Sequence, residues 1–136
     1  MFRSADGAGV SKIFLSGYTP RPVDRFGREQ KDIAKTALGA EKSVSWEYYS
    51  SPAAVIEKMK KEGWQIVGIE QDARSVDYRR AKLAEKVLFV PGNEVRGLSP
   101  ELRARCDMLI ELPMRGCKES LNVAIATSIA LYSFLR

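Results

Sequence analysis

Apolar positions along this chain follow two rhythms. Short continuous runs stand at "KIFLSG" (residues 12–17), "WQIVGIE" (64–70), "VLFV" (87–90) and "DMLIEL" (107–112), and they have the length and branched content of buried strands. Between them, apolar residues recur at helical spacing. In "SSPAAVIEKMKKEG", Val55, Ile56 and Met59 share one face, Ser51 stands where a cap is needed, Pro52 suits the first helical position and Gly63 ends the segment. Ser99 and Pro100 repeat that start and predict a helix running through Arg105. From residue 120 to the end, Leu121, Ile125, Ser128/Ile129 and Tyr132 form an apolar face. Val123, Ala126, Ala130 and Phe134 widen it, which predicts a helix buried on more than one side.

The remaining segments carry weaker signals. Two prolines in "YTPRP" break the first strand, and residues 19–35 are polar and rich in Arg and Lys, a loop or marginal helix. Residues 35–49 read as a loop leading into a short strand. Continuous apolar strands alternating with helices predict an α/β fold: a single domain over residues 1–136, with a mostly parallel sheet flanked by helices. Ligands in such folds lie beyond the carboxyl ends of the strands. Three segments fit that position: the residues after Glu70, residues 91–98 and residues 113–120.

Composition narrows the chemistry. The 136 residues allow one packed core, and 45% hydrophobic with 29% charged residues is the balance of a soluble globular chain. No apolar run approaches the roughly 18 residues of a membrane span, and the start does not read as a secretory signal, so a cytoplasmic protein is expected. Histidine is absent, which removes Ser-His-Asp and Cys-His machinery and imidazole acid–base work. Two cysteines without histidine make a zinc site improbable; Cys106 reads as a core residue and Cys117 as a loop residue. The net charge of +5 favours a polyanionic partner such as nucleic acid.

Two of the strand-end loops are chemically unusual. In "PGNEVRGLS", Gly92 lets backbone approach a ligand closely, Gly97 permits a positive φ, and Glu94 stands between them. In "ELPMRGCKESLN", Pro113 stops the strand, Gly116 turns the chain, and Ser120 and Asn122 open the last helix, whose first N–H groups can hold an anion. Either loop alone reads more readily as an ordinary β-to-α turn. Together, "VPGNEVRGL" and "IELPMRGCKESLNVAIATSIALY" resemble the second and third motifs of the SpoU/TrmH family of RNA ribose 2′-O-methyltransferases, within the SPOUT superfamily. "FRSADGAGVSKIFLSGYTP" and "KTALGAE" resemble that family's first motif and the segment after it, so the resemblance covers essentially the whole chain.

What the resemblance implies goes beyond the pattern. It implies a deep trefoil knot in the C-terminal part, S-adenosyl-L-methionine as cofactor, transfer RNA or ribosomal RNA as substrate, and a homodimer, with no metal and no membrane. Carried over position by position, Ile69, Val90, Gly92, Leu112, Met114, Ser120 and Leu121 would bind the cofactor. Arg3, Glu94, Ser120 and Asn122 would form the catalytic set. Arg3 would polarise the ribose 2′-oxygen or grip a neighbouring phosphate, because a guanidinium is a poor base. Arg21, Arg25, Arg28, Lys31, Arg96 and Arg115 are candidate phosphate contacts. In the family, a strand and a motif asparagine precede the arginine matched by Arg3, whereas here Met1 stands immediately upstream, so a truncated amino terminus is expected. The competing expectation is a catalytically impaired RNA-binding homologue or partner subunit with the same fold.

Overall fold

The computed structural model describes residues 2–16, 44–93, 95–118 and 121–134, with side chains from Ser4 onward in the first of these segments. The chain forms two compact units, Met1–Pro52 with Leu135–Arg136, and Ala53–Phe134.

In the first unit, helix α1 (Phe2–Gly7) leads to strand β1 (Lys12–Ser16), which pairs in parallel with β2 (Ser45–Tyr49). The short helix was not legible as an apolar face because the residues it buries are small: Ala5, and Ala8 just beyond it. Gly9 then takes a φ of +74°, and Val10 donates its N–H to the Ala5 carbonyl at 2.9 Å, closing the helix end. Leu15 and Val44 form the core beneath the strand pair, with Ile13, Trp46 and Tyr48 packed against them. Residues 19–35, including Arg21, Arg25, Arg28 and Lys31, lie outside the described residues.

The second unit contains α2 (Pro52–Lys61), β3 (Gln65–Ile69), β4 (Val76–Asp77), β5 (Val87–Pro91), α3 (Pro100–Arg105), β6 (Met108–Glu111) and α4 (Val123–Ser133). Its four strands are parallel, in the order β4-β6-β3-β5. Val55, Ile56 and Met59 are buried on α2, the face expected from their spacing, and Ile56 is only 1% exposed. Strand β6 therefore enters between β3 and β4, which precede it in the chain. At its start, Asp107 accepts the Ile66 N–H on Oδ2 at 2.7 Å and donates its own N–H to the Ile66 carbonyl at 2.8 Å. The carboxylate thus supplies the acceptor that a longer ladder would have provided.

The strand alternation sorts the sheet into two covered faces. One carries Val67, Ile69, Val87, Phe89, Met108 and Ile110, packed with Ala81, Ala130 and Phe134. On the other, a Cβ placed on Gly68 would meet Leu109, the Cys106 sulfur and Leu98 at 2.6 to 3.0 Å, so glycine is what admits these three side chains. Cys106 is half-buried at the end of α3, its Sγ donating to the Leu102 carbonyl at 3.3 Å.

Helix α4 departs from the expected burial. Its inward residues are Thr127 and Ala130, the former tying its hydroxyl back to the Val123 carbonyl at 2.7 Å. The stripe expected to be buried faces outward: Leu121, Ile125, Ile129 and Tyr132 are 38, 54, 37 and 49% exposed in the single chain. Of the two apolar sets the spacing marked, the one with Ala130 and Phe134 packs on the sheet, while the Leu121 stripe is open in the single chain, because this helix is apolar all round and spacing alone cannot rank its sides. The helix begins at Val123 rather than at residue 120, with Asn122 as its cap.

Candidate functional site

Parallel register brings the carboxyl ends of three strands to one edge of the second unit. Ile69 pairs with both Pro91 and Ile110, so the segments after β3, β5 and β6 leave the sheet side by side. Strand β5 is the outer strand there, which is why Pro91, lacking an N–H, is tolerated in its last position.

After β5 the chain makes a tight antiparallel return. Asn93 and Gly97 exchange backbone hydrogen bonds at 3.1 and 2.9 Å. Within the return, the Asn93 Oδ1 accepts from Val95 N at 2.8 Å and Arg96 N at 3.3 Å. Gly97 has a φ of +67°. A Cβ on Gly92 would lie 2.5 to 2.7 Å from backbone atoms of Gly97 and Leu98. Bare backbone is therefore required at Gly92 for the turn to close.

The turn is also fastened from the neighbouring strand. Glu70 follows β3, and its Oε2 accepts the Leu98 N–H at 2.6 Å while Oε1 accepts the Gln71 N–H at 3.0 Å. The same Oε2 occupies the space a Cβ on Gly97 would need. The Glu70 carbonyl accepts the Ser75 hydroxyl at 2.6 Å, so this one residue gathers two of the three edge segments. Farther along, Asp72 accepts from Arg74 and from Arg103 of α3, the latter at 3.1 Å. The Arg74 guanidinium and backbone N–H, followed by Arg103, hold the Asp72 carboxyl well below the usual carboxylate range.

Of the expected cofactor residues, Ile69 closes β3, Val90 stands in β5 opposite Gly68, and Gly92 follows directly. Leu112 is buried just beyond β6, and Met114 is half-buried two residues on. Leu121 is more open, immediately before the α4 cap. Among the catalytic set, Glu94 and Ser120 lie outside the described residues, and Arg3 is in α1 of the first unit with its side chain outside them. Asn122 is the helix cap: its Oδ1 accepts from Ala124 N at 2.9 Å and Ile125 N at 3.4 Å. That occupies the acceptor and leaves the amide nitrogen of this exposed side chain as a donor. Arg96 and Arg115 are exposed on the two glycine-bearing loops.

Sequence reasoning missed Glu70 and Asn93 as organisers of this edge. The available signal was their position: an acid directly after a buried strand, and an amide at the first turn residue, where Asx side chains cap their own backbone.

A parallel sheet, covered on both faces, with glycine-bearing loops gathered at its carboxyl edge is the architecture of an α/β nucleotide- or cofactor-binding domain. A profile of the SpoU rRNA Methylase family matches residues 1–132, and the chain belongs to that family. It is 34% identical over 134 residues to the 23S rRNA (guanosine-2′-O-)-methyltransferase RlmB of Escherichia coli, a match covering 98% of this chain and 52% of that protein. It is 33% identical over 134 residues to a tRNA (guanosine(18)-2′-O)-methyltransferase of Aquifex aeolicus, covering 98% of this chain and 60% of the relative. The crystal structure of an AdoMet-bound rRNA methyltransferase from Sinorhizobium meliloti superposes with a TM-score of 0.85 at 32% identity, over 97% of this chain and 48% of that one. The chain thus spans about half the length of the 23S rRNA methyltransferase it matches.

Proposed function

We propose that the protein transfers a methyl group from S-adenosyl-L-methionine to a ribose 2′-hydroxyl of transfer or ribosomal RNA. The observation that carries this reading is the turn that follows β5, closed by bare backbone at Gly92 and fastened to Glu70, at the same strand ends as Ile69. These residues fit the donor: apolar side chains at the sheet edge suit an adenine face, and Gly92 offers backbone with no side chain in the way. Family membership and relatives that act at guanosine 2′-oxygens support the same chemistry.

Ile69, Val90, Gly92, Leu112, Met114, Ser120 and Leu121 would hold the donor. When bound, it supplies a methyl carbon already activated by positive sulfur. The protein's task is then to position the ribose oxygen and ease loss of its proton. Arg3 would stabilise the developing oxyanion or hold the adjacent phosphate, and the proton passes to phosphate or water. Asn122 would donate from its amide nitrogen, Ser120 would support the donor beside it, and Glu94 would fix the loop. Arg96 and Arg115 would meet RNA phosphates, contributing affinity and little sequence choice.

The reading extends to architecture. Residues 112–122 would thread through the loop between β3 and β5, making the trefoil knot. This is supported by the placement of β6 between two earlier strands. The outward stripe of Leu121, Ile125, Ile129 and Tyr132 would be the homodimer surface, supported by an exposed apolar face beside the donor loops. The chain would act as a single cytoplasmic domain, and no described helix is long and apolar enough to cross a membrane.

The test is transfer from methyl-tritiated donor to bulk tRNA and rRNA, followed by alkaline hydrolysis. Label in hydrolysis-resistant dinucleotides is the expected result, because a 2′-O-methyl group blocks cleavage of the next linkage. Label only in mononucleotides would move the acceptor to a base. RNA binding without transfer would identify a non-catalytic homologue.

A further inference from the structure

We infer that Glu70 is a positioning residue for methyl-donor binding, acting through the turn at residues 92–98; the inference rests on the donor reading above. Four observations converge on it. Its Oε2 accepts the Leu98 N–H at 2.6 Å, and its Oε1 accepts the Gln71 N–H at 3.0 Å. Its carboxylate fills the space beneath Gly97, where any Cβ would collide with it. Its own N–H is bound to the Ile110 carbonyl at 3.0 Å, so its backbone is fixed by β6. Its carbonyl accepts the Ser75 hydroxyl at 2.6 Å, tying down the segment after β3.

Glu70 thereby ties the segment after β3 to the turn after β5 and is itself held by strand β6. The fit is also specific to a carboxylate. Two backbone N–H donors converge on it, and a carboxylate answers both with acceptor oxygens. A glutamine in the same place satisfies one donor and turns its NH2 group toward the other. An alanine satisfies neither and leaves a hollow under Gly97, so the left-handed turn loses the contact that selects its path. Leu98, next along, is only 2% exposed, which anchors the far end of the turn in the core. The freedom gained on losing the carboxylate therefore falls on residues 92–97, the glycine-bearing backbone proposed to face the donor.

The experiment measures S-adenosylhomocysteine affinity by calorimetry, and KM for donor and RNA separately, in wild type, Glu70→Gln, Glu70→Ala and Val55→Ala. Val55 is buried on α2 and takes no part in the Glu70 hydrogen bonds, and its truncation serves as a control for general loss of stability. Glu70→Ala is expected to weaken homocysteine-product binding about tenfold or more, in line with loss of a charge-assisted hydrogen bond. Glu70→Gln is expected to fall between it and wild type, with donor KM raised in both variants and RNA KM unchanged. Val55→Ala, destabilised but folded, is expected to bind as wild type does. Wild-type binding with Glu70→Ala within twofold of it overturns the positioning role alone. So does an equal loss in Val55→Ala. A folded wild type that takes up neither donor nor product overturns the donor reading itself, and the role of Glu70 with it.

Discussion

A Cβ on Gly92 would lie 2.5 Å from the carbonyl carbon of Gly97, so the two glycines of this turn are in contact through backbone alone. The contact fixes the path by which the chain leaves β5. Replacing Gly92 with Ala forces residues 97 and 98 to move, at an overpacking cost of about 2 kcal/mol. Donor binding is expected to weaken as well, because the displaced backbone is the part of the turn proposed to face the donor. Calorimetry on the folded variant measures it, with unfolding temperature recorded in parallel.

Gly97→Ala carries two penalties. The residue's φ of +67° is disfavoured with a side chain by about 1–2 kcal/mol, and the added carbon meets the Glu70 carboxylate. The variant is expected to unfold in denaturant with a lower midpoint than Gly92→Ala, because the strain adds to the collision. Urea titration of the two proteins side by side decides the order.

Acid stability follows from Asp72 and Asp77. The Arg79 guanidinium and backbone N–H hold the Asp77 carboxyl down to about 2, and Arg74 with Arg103 holds Asp72 lower than its ordinary value as well. Both groups have depressed folded-state values, so their contribution is present above the unfolded value of 3.8 and is lost as pH falls through the folded values. The unfolding temperature is expected to drop as pH is lowered from about 4 toward 2. Asp72→Asn lowers it at neutral pH and makes that drop shallower. Thermal melts across the range test both statements.

The thiols should separate by reactivity. Cys117 is exposed, whereas Cys106 is half-buried and burial pushes its thiol up, suppressing the thiolate that reacts. An aromatic disulfide reagent at neutral pH is expected to titrate one cysteine rapidly and the second only on unfolding. Cys117→Ser removes the fast phase.

The exposed stripe on α4 carries a fifth expectation. Ile129→Asp places a charge in the middle of it, between Ile125 and Tyr132. If the stripe is the dimer surface, sedimentation will show the wild type as a dimer and the variant as a monomer at the same concentration.

How far the sequence reached depended on how each element advertises itself. Strands β3, β5 and β6 were legible because each is a continuous apolar run; Val67 of β3 and Ile110 of β6 are fully buried, and the outer strand β5 is half-buried throughout. Strand β4 was not, since it is two residues long and one of them is the acid Asp77. On α2, one apolar face against lysines named the buried side at once, whereas on α4 apolar residues surround the axis, so spacing marked Ala130 without ranking its side first, and the burial of the polar Thr127 had no signal. At the site, the glycines were readable from turn chemistry. The partnership of Glu70 with Leu98 was not, because it joins residues 28 positions apart and depends on the β3–β5 pairing.

The central claim is that the loops at the sheet edge hold a sulfonium methyl donor, and calorimetric titration of the purified chain with S-adenosylmethionine and S-adenosylhomocysteine tests it most directly. Saturable one-site binding of both, weakened by Gly92→Ala, is the predicted result. Absence of heat and of thermal stabilisation with either ligand, in protein whose unfolding is cooperative, would contradict it.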